Sequence, residues 1–306
     1  MRRIALALGF VASLIVGGVI ASPAAHADDL HPFRAFDEAV GQAGAPAWLK
    51  EGVRLAYHTE EYNSGQVSGS GGRGIALVDV ASIGRRRTAV NVRLFTHDEM
   101  NPGALLLGQV LGLVGDPGRV GIWWVHPAVL ERVKSTKLTD WTSASGSVQL
   151  TTGAATTTVL TYDKLRTNGV RATLAYENKT GILLSYAWEL NTAQARSSGQ
   201  RVFAGMRELG VPWREGRPPA WIFRTKSLTY EGQATYANPG GAPVQEPIRI
   251  ALPVIDKGAN FIVVKMPGGP TGGGYPTVSG ASGVTGVWKP PLALQGLKQG
   301  QVLDQD

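Results

Sequence analysis

The densest group of chemistry-bearing side chains in this sequence is His97-Asp98-Glu99, just before Asn101-Pro102-Gly103. An imidazole beside carboxylates can move protons or help hold a metal ion. Joined by His58, the group makes one candidate enzyme site: an envelope hydrolase in which His97, Asp98 and His58 converge in a pocket. Its ordinary meaning is a solvated turn at a strand end, and repeat B, defined below, carries no such cluster. His31, His58, His97 and His126 include no i, i+4 pair and no H-E-x-x-H neighbourhood, so no metal site is expected. No serine sits in G-x-S-x-G, and S-x-x-K and G-x-x-x-x-G-K are missing too. Gly69-Ser70-Gly71-Gly72-Arg73-Gly74 fits G-x-G-x-x-G, but a dinucleotide loop must open a helix, and here the strand-like run Ile75 to Val80 follows. A loop between strands is the expectation, and no cofactor is called for. Catalysis by residues that meet only in the fold stays open.

Binding residues are sought among the eight tryptophans. Trp48, Trp124, Trp221 and Trp288 recur at matched positions in two halves of the chain, which packing within each half explains. Trp123, Trp141 and Trp213 have no aromatic counterpart and are the candidates for a ligand surface, core or edge filling being their ordinary role. Trp123 adjoins Trp124 on one expected strand and should face the other way. Arg85-Arg86-Arg87, the densest basic run, reads as a charged hairpin tip.

The elements that must position these residues are repeated. Pro46-Ala47-Trp48 returns as Pro219-Ala220-Trp221, 173 residues on (221 − 48), and Leu55/Leu228, Tyr57/Tyr230, Ile75/Ile248 and Val90/Val263 keep that offset. At an offset of 164 (288 − 124), Trp124, Pro127, Leu130 and Lys134 meet Trp288, Pro291, Leu294 and Lys298. This pattern predicts a duplicated module: a lead-in helix at 28–44, repeat A at 45–142, an insert at 143–217 and repeat B at 218–306. Within repeat A, strands are expected through Val53 to Tyr57, Ile75 to Ile83 and Thr88 to Phe95, with a polar Gly/Ser loop between the first two. Short helices follow the paired tryptophans, at Pro127 to Lys134 and Pro291 to Lys298, each with proline in its first turn. If both are core positions, Trp48→Ala and Trp221→Ala should each cost about 3–5 kcal/mol.

Residues 1–27 have the parts of a secretory signal: Arg2-Arg3, an apolar run from Ile4 to Ile20, and Ala25-His26-Ala27 before Asp28. The expected product is exported, periplasmic or extracellular, with no other stretch of spanning length. Its charge would be 28 basic against 23 acidic residues (30 − 2, 23 − 0), a scattered excess that does not call for nucleic acid. There is no cysteine, so disulfides and thiol chemistry are excluded and packing must hold the fold. Glycine and proline, 40 and 18 of 306 residues, point to many turns between short strands.

The insert holds the clearest hairpin: Arg171 to Glu177 and Ile182 to Glu189 around Asn178-Lys179-Thr180-Gly181. Upstream, Val159 to Tyr162 and Asn168-Gly169 suggest a meander. Downstream, Val202, Phe203, Met206 and Leu209 have the spacing of one helical face. Tyr176, Thr180-Gly181 and Leu183-Leu184 resemble hairpins of exported half-barrel proteins, the periplasmic lipoprotein-carrier-like group. The resemblance implies an antiparallel sheet curled around an apolar hollow that receives acyl chains, and it assigns no site residues.

The expectation is therefore a mainly β fold. It has antiparallel sheets in two duplicated β-rich repeats, a few short helices, and a curved or half-barrel sheet as one form. The function expected is non-catalytic binding of an apolar or glycan ligand in an aromatic-lined groove. The hydrolase is the alternative, and assembly through exposed strand edges a second one.

Overall fold

The computed structural model describes residues 43–65, 69–97, 105–135, 140–150, 153–164, 169–192, 195–210, 219–236, 244–267, 275–280 and 297–298. The leader, most of the lead-in helix, the Asn168 turn position and most of the expected helix at 291–298 lie outside the described residues.

The fold is mainly β and antiparallel, as its alternating sequence requires. The chain first forms β1 (Val53–Gly65), β2 (Gly69–Ile83), β3 (Thr88–His97) and β4 (Leu105–Gly115). A small ribbon follows, β5 (Arg119–Val120) and β6 (Trp124–Val125), then helix α1 (Pro127–Ser135). The insert forms β7 (Trp141–Leu150), β8 (Gly153–Lys164), β9 (Val170–Glu177), β10 (Leu183–Asn191) and β11 (Ala195–Glu208). One nine-stranded sheet results, in the order β4-β3-β2-β1-β11-β10-β9-β8-β7, open at both edges. A four-stranded sheet follows a short 3-10 turn at Ala220–Phe223: β12 (Ser227–Tyr236), β13 (Val244–Lys257), β14 (Phe261–Met266) and β15 (Tyr275–Gly280).

Residues 195–208 correct the helix expected around Val202 and Phe203. They are a strand, paired along its length with β1 and in part with β10. A register shift opposite Ala56/Tyr57 breaks the strict alternation, and the apolar letters then fall at a spacing that imitates a helix. They do not share a face: Val202 and Met206 are exposed, while Leu209 is buried. This strand is the splice that makes repeat A and the insert one sheet.

The Gly/Ser loop is also shorter than expected. Gly69 to Gly74 belong to β2 and pair with β1, Gly71 opposite Tyr62 and Gly72 opposite Glu61. A Cβ on Gly71 would stand 2.6 Å from the Glu61 carbonyl oxygen, so glycine here serves a close strand approach. The phosphate-loop pattern is thereby a strand segment.

The core lies on one face of the large sheet, here the inner face. Leu55, Tyr57, Val78, Val92, Leu160 and Leu174 bury against a cover formed by residues 119–135. The cover is fastened to the hairpin that the sequence predicted. Val125 N donates to Gly181 O at 2.9 Å, Leu183 N to Trp123 O at 3.0 Å, and Trp48 Nε1 to Thr180 O at 2.8 Å. Gly181, at φ 75°, turns beneath the Val125 carbonyl where a Cβ would not fit. Trp124 is fully buried and meets Trp48 edge-to-face at 5.6 Å.

The second sheet packs β15 on the outer face of β2, β3 and β4 through Ala81, Ala89, Val263 and Val278. Asn91 pairs with the backbone of Val278 in both directions, Nδ2 to O at 2.6 Å and N to Oδ1 at 2.9 Å. The matched tryptophans differ in burial: Trp48 is half-buried, while Trp221 is 46% exposed. The expectation of equal cost therefore fails for Trp221, because the 3-10 turn at Ala220–Phe223 leaves its ring exposed.

Candidate functional site

Strand register lays the inner face out in rows. Thr59, Arg201 and Tyr186 lie side by side, as do Glu61, Gly199 and Trp188 in the next row, and Asn63, Ser197 and Leu190 in the third. The second row continues through Ala172 and Tyr162 to Trp141.

Glycine at 199 is what lets this arrangement close. A Cβ there would press into the Trp188 ring and the Glu60 carbonyl. The indole folds across β11 instead, and Arg201 lies within an aromatic enclosure. Its guanidinium carbon is 5.2 Å from the Trp188 ring centre, 5.5 Å from Trp123 and 5.9 Å from Tyr186. Arg201 Nη2 also donates to Glu61 Oε1 at 3.0 Å, and both side chains are over nine-tenths buried. Low dielectric strengthens the ion pair and the ring attraction alike. Tyr186 stacks on Trp188 at 5.0 Å, and burial pushes its phenol pKa up to about 12. Tyr57 Oη, Arg201 Nε and Trp188 Nε1 are buried without hydrogen-bond partners.

At the ends of β1, β10 and β11, past the third row, lies a cavity of about 470 Å³. Asn63, Leu190 and Ser197 form part of its wall, with Tyr62, Asn191 and Arg196 among the others. Ser197 Oγ is buried and unpartnered, like the three atoms deeper in. Asn63, Leu190 and Ser197 share the face of the aromatic row, whereas Tyr62, Ser64, Glu189, Asn191, Arg196 and Ser198 alternate with them onto the outer face, so the cavity lies around the strand ends and chiefly on the outer face.

The predicted tryptophans fall on this face in part. Trp123 is 3% exposed, in the turn before β6, which Gly121 opens at φ 53°. Because it stands in a turn, it does not face away from Trp124; both enter the core, Trp123 against Tyr57 at 5.1 Å. Trp141 is half-buried on β7 beside Tyr162 at 5.4 Å, in the row of Trp188. Trp213 lies outside the described residues. Sequence reasoning misses Trp188 as a site residue, although it predicts the strand carrying Tyr186 and Trp188. It also misses Arg201 and Glu61, whose strand partnership is invisible locally.

The alternative acid–base group draws its two histidines from different strands. His58 is exposed on β1, and His97 closes β3, with β2 between them. Their strands stand about 9–10 Å apart, two strand spacings; Asp98 lies outside the described residues. His126 serves the helix instead, since its Nδ1 accepts the Ala128 N–H at 3.1 Å and caps α1, and burial lowers its pKa. Among the described residues no cluster of three or more metal-ligating side chains occurs, and no helix is long and apolar enough to cross a membrane. The buried carboxylate of Asp79 is taken up by Arg54 at 2.6 and 3.1 Å and Arg93 at 3.1 Å, at the seam with the second sheet.

No protein-family model matches the chain, and no curated protein matches it. Among solved structures, the MucA/MucB complex of Pseudomonas aeruginosa aligns with 74% of this chain and 87% of that chain, at 12% identity and a TM-score of 0.23. A structure of MucB covers 81% and 93%, at 13% identity and a TM-score of 0.24. A LolA superfamily protein from Nitrosomonas europaea covers 57% and 94%, at 9% identity and a TM-score of 0.17. The likeness to lipoprotein-sorting proteins is therefore weak and local, and TM-scores of this size carry no argument about what this chain does.

Proposed function

We propose that this is an exported, non-catalytic binding protein of the cell envelope. Its ligand, apolar or glycan, binds at the open ends of β1, β10 and β11. The cavity of about 470 Å³ at those strand ends carries this reading. The leader-like N-terminus supports export, and the lack of hydrolase motifs supports a role without catalysis. Trp123, Trp141 and Trp213 keep the ligand-binding role the sequence suggested, although Trp123 and Trp141 do not line this cavity. The protein should be purified from its native host and extracted for mass spectrometry. A reproducible lipid or glycan supports binding. An empty protein that cleaves an envelope substrate, with loss on His97→Ala, would replace it with the hydrolase.

The architecture is read as a duplication. Repeat A contributes β1-β2-β3-β4 and repeat B contributes β12-β13-β14-β15, each a four-stranded antiparallel run in chain order. β14 starts at Phe261, 173 residues beyond the start of β3 at Thr88 (261 − 88), which supports that reading.

A second reading, assembly through strand edges, is favoured by β12. It is the edge strand of its sheet, and Tyr230, Val244 and Ile250 of the β12–β13 ribbon are exposed. Concentration-dependent self-association that is lost when Thr229 is replaced by proline would support it.

A further inference from the structure

We infer that the cavity at the ends of β1, β10 and β11 takes a sugar and not an acyl chain; this rests on the binding reading above and names its ligand class. The first observation is chemical. The wall is mixed: Leu190, the Tyr62 ring and side-chain carbons give it much apolar surface, and amide, hydroxyl, carboxylate and guanidinium groups are set among them. An acyl chain would desolvate those groups without replacing their hydrogen bonds, which is unfavourable for each.

The second observation is that the polar side chains are uncommitted. Asn63, Ser64, Asn191, Arg196 and Ser198 make no side-chain hydrogen bond or ion pair to other described residues, and Ser197 Oγ is buried without a partner. Asparagine offers a donor and an acceptor in one plane, arginine a fork of donors, and serine both roles on one oxygen. Such a set matches adjacent hydroxyl groups, which both give and accept. Charge points the same way. Arg196 is the one basic residue among the lining side chains, and Glu189, which meets Arg171 at 3.7 Å, adds a carboxylate, so the wall lacks the concentrated positive charge that a phosphate or carboxylate group would need.

The third observation is the aromatic one. Tyr62 is 39% exposed, and its hydroxyl is anchored to Glu60 Oε1 at 2.9 Å, which fixes the ring at the rim. A fixed, exposed ring can cover the C–H face of a pyranose, while the amides and hydroxyls read its edge. A volume of about 470 Å³ accommodates one or two sugar units.

The test is a glycan array of neutral oligosaccharides probed with the purified protein, followed by tryptophan-fluorescence titration with the tightest binder. Trp188, next to Glu189 on β10, reports occupancy. The expected results are saturable binding and at least about a tenfold weakening in Tyr62→Ala and in Asn191→Ala. Val202→Ala, further along β11 beyond Gln200 and outside the cavity wall, leaves binding unchanged. Thermal melts of each variant show whether the fold persists. A fluorescent fatty acid is the competing probe. If it binds and Tyr62→Ala abolishes that binding, the sugar inference is overturned and the cavity stands. If neither probe binds, the sugar inference and the binding reading both fall.

Discussion

Arg87 clasps Asp256: Nη1 donates to Oδ1 at 3.0 Å and Nη2 to Oδ2, so the turn between β2 and β3 holds the end of β13. The same guanidinium donates to the Lys257 carbonyl at 3.2 Å and lies over the Phe261 ring at 5.6 Å. The sequence suggests a solvated tip for all of Arg85-Arg86-Arg87. Arg85 and Arg86 are exposed, whereas Arg87 joins the two sheets. The hydrogen bond from Arg87 holds the Asp256 carboxyl below its usual range. A lowered acid pKa adds stability that is present above the unfolded value, about 4, and disappears as pH falls through the folded value. Asp256→Asn should remove this acid-dependent part. Melting followed from pH 6 to pH 2 checks it: the gap between wild type and variant should narrow toward the acid end.

The seam between the sheets depends on atoms too close for larger residues. A Cβ on Gly112 would stand 2.5 Å from Val278 N and 2.9 Å from the Thr277 backbone. Backbone on both sides cannot yield as a flexible side chain would, so Gly112→Ala should detach β15. Asn91→Ala strips Val278 of two buried hydrogen bonds and should cost about 2–4 kcal/mol. Urea unfolding measures that cost, and hydrogen exchange should place the loss of protection in 275–280 first.

The meander of the insert is legible because Arg171 to Glu189 carries alternation and turn residues within a few positions. The same local signals give α1 at Pro127. Strand β11 is not legible, since a bulge disturbs its alternation and its neighbours on β1 lie about 140 residues away. Long-range pairing also hides the site. Glu61 and Arg201 are unremarkable letters until β1 and β11 lie side by side, and the cavity forms where three strand ends meet. Trp123 stands out by its lack of a counterpart, but its direction follows from a turn at Gly121 that alternation alone renders as strand.

His126 supplies a second pH dependence with its own window. Its imidazole accepts the Ala128 N–H only when Nδ1 is unprotonated, and burial lowers its pKa below the ordinary value of about 6.5. The folded state therefore binds fewer protons than the unfolded one, and the stabilisation is complete above about 6.5 and lost as pH falls through the lowered value. His126→Asn keeps a capping side chain that does not titrate there. Its melting temperature should be flatter than that of wild type between pH 7 and pH 5. A parallel decline in both proteins would contradict the cap.

The two tryptophans at matched positions should respond differently to truncation. Trp48 packs on Trp124 and donates to Thr180 O, so Trp48→Ala leaves both a void and a carbonyl without its partner, at about 3 kcal/mol or more. Trp221 is 46% exposed, and Trp221→Ala should stay within about 1 kcal/mol of wild type. Chemical denaturation of the two variants side by side is sufficient. Equal losses would mean that Trp221 is covered in solution, which would favour the assembly reading over an isolated monomer.

Glu61 and Arg201 should behave as one buried unit. Glu61→Ala leaves a guanidinium among Trp123, Tyr186 and Trp188 with no carboxylate, and breaking a buried pair from one side costs about 3–5 kcal/mol. The aromatic rings return part of that by attracting the cation, about 0.5–2 kcal/mol, so the loss should fall near the lower end. Arg201→Met with Glu61→Leu removes both charges while keeping side-chain volume, and should be more stable than Glu61→Ala alone. A double-mutant cycle built from the two single changes would give the coupling. A coupling near zero would mean that water reaches the pair despite its burial, and the wall between cavity and core would then be open. A large coupling, with ligand titrations unchanged in the double variant, would confine Arg201 to holding the floor beneath the cavity.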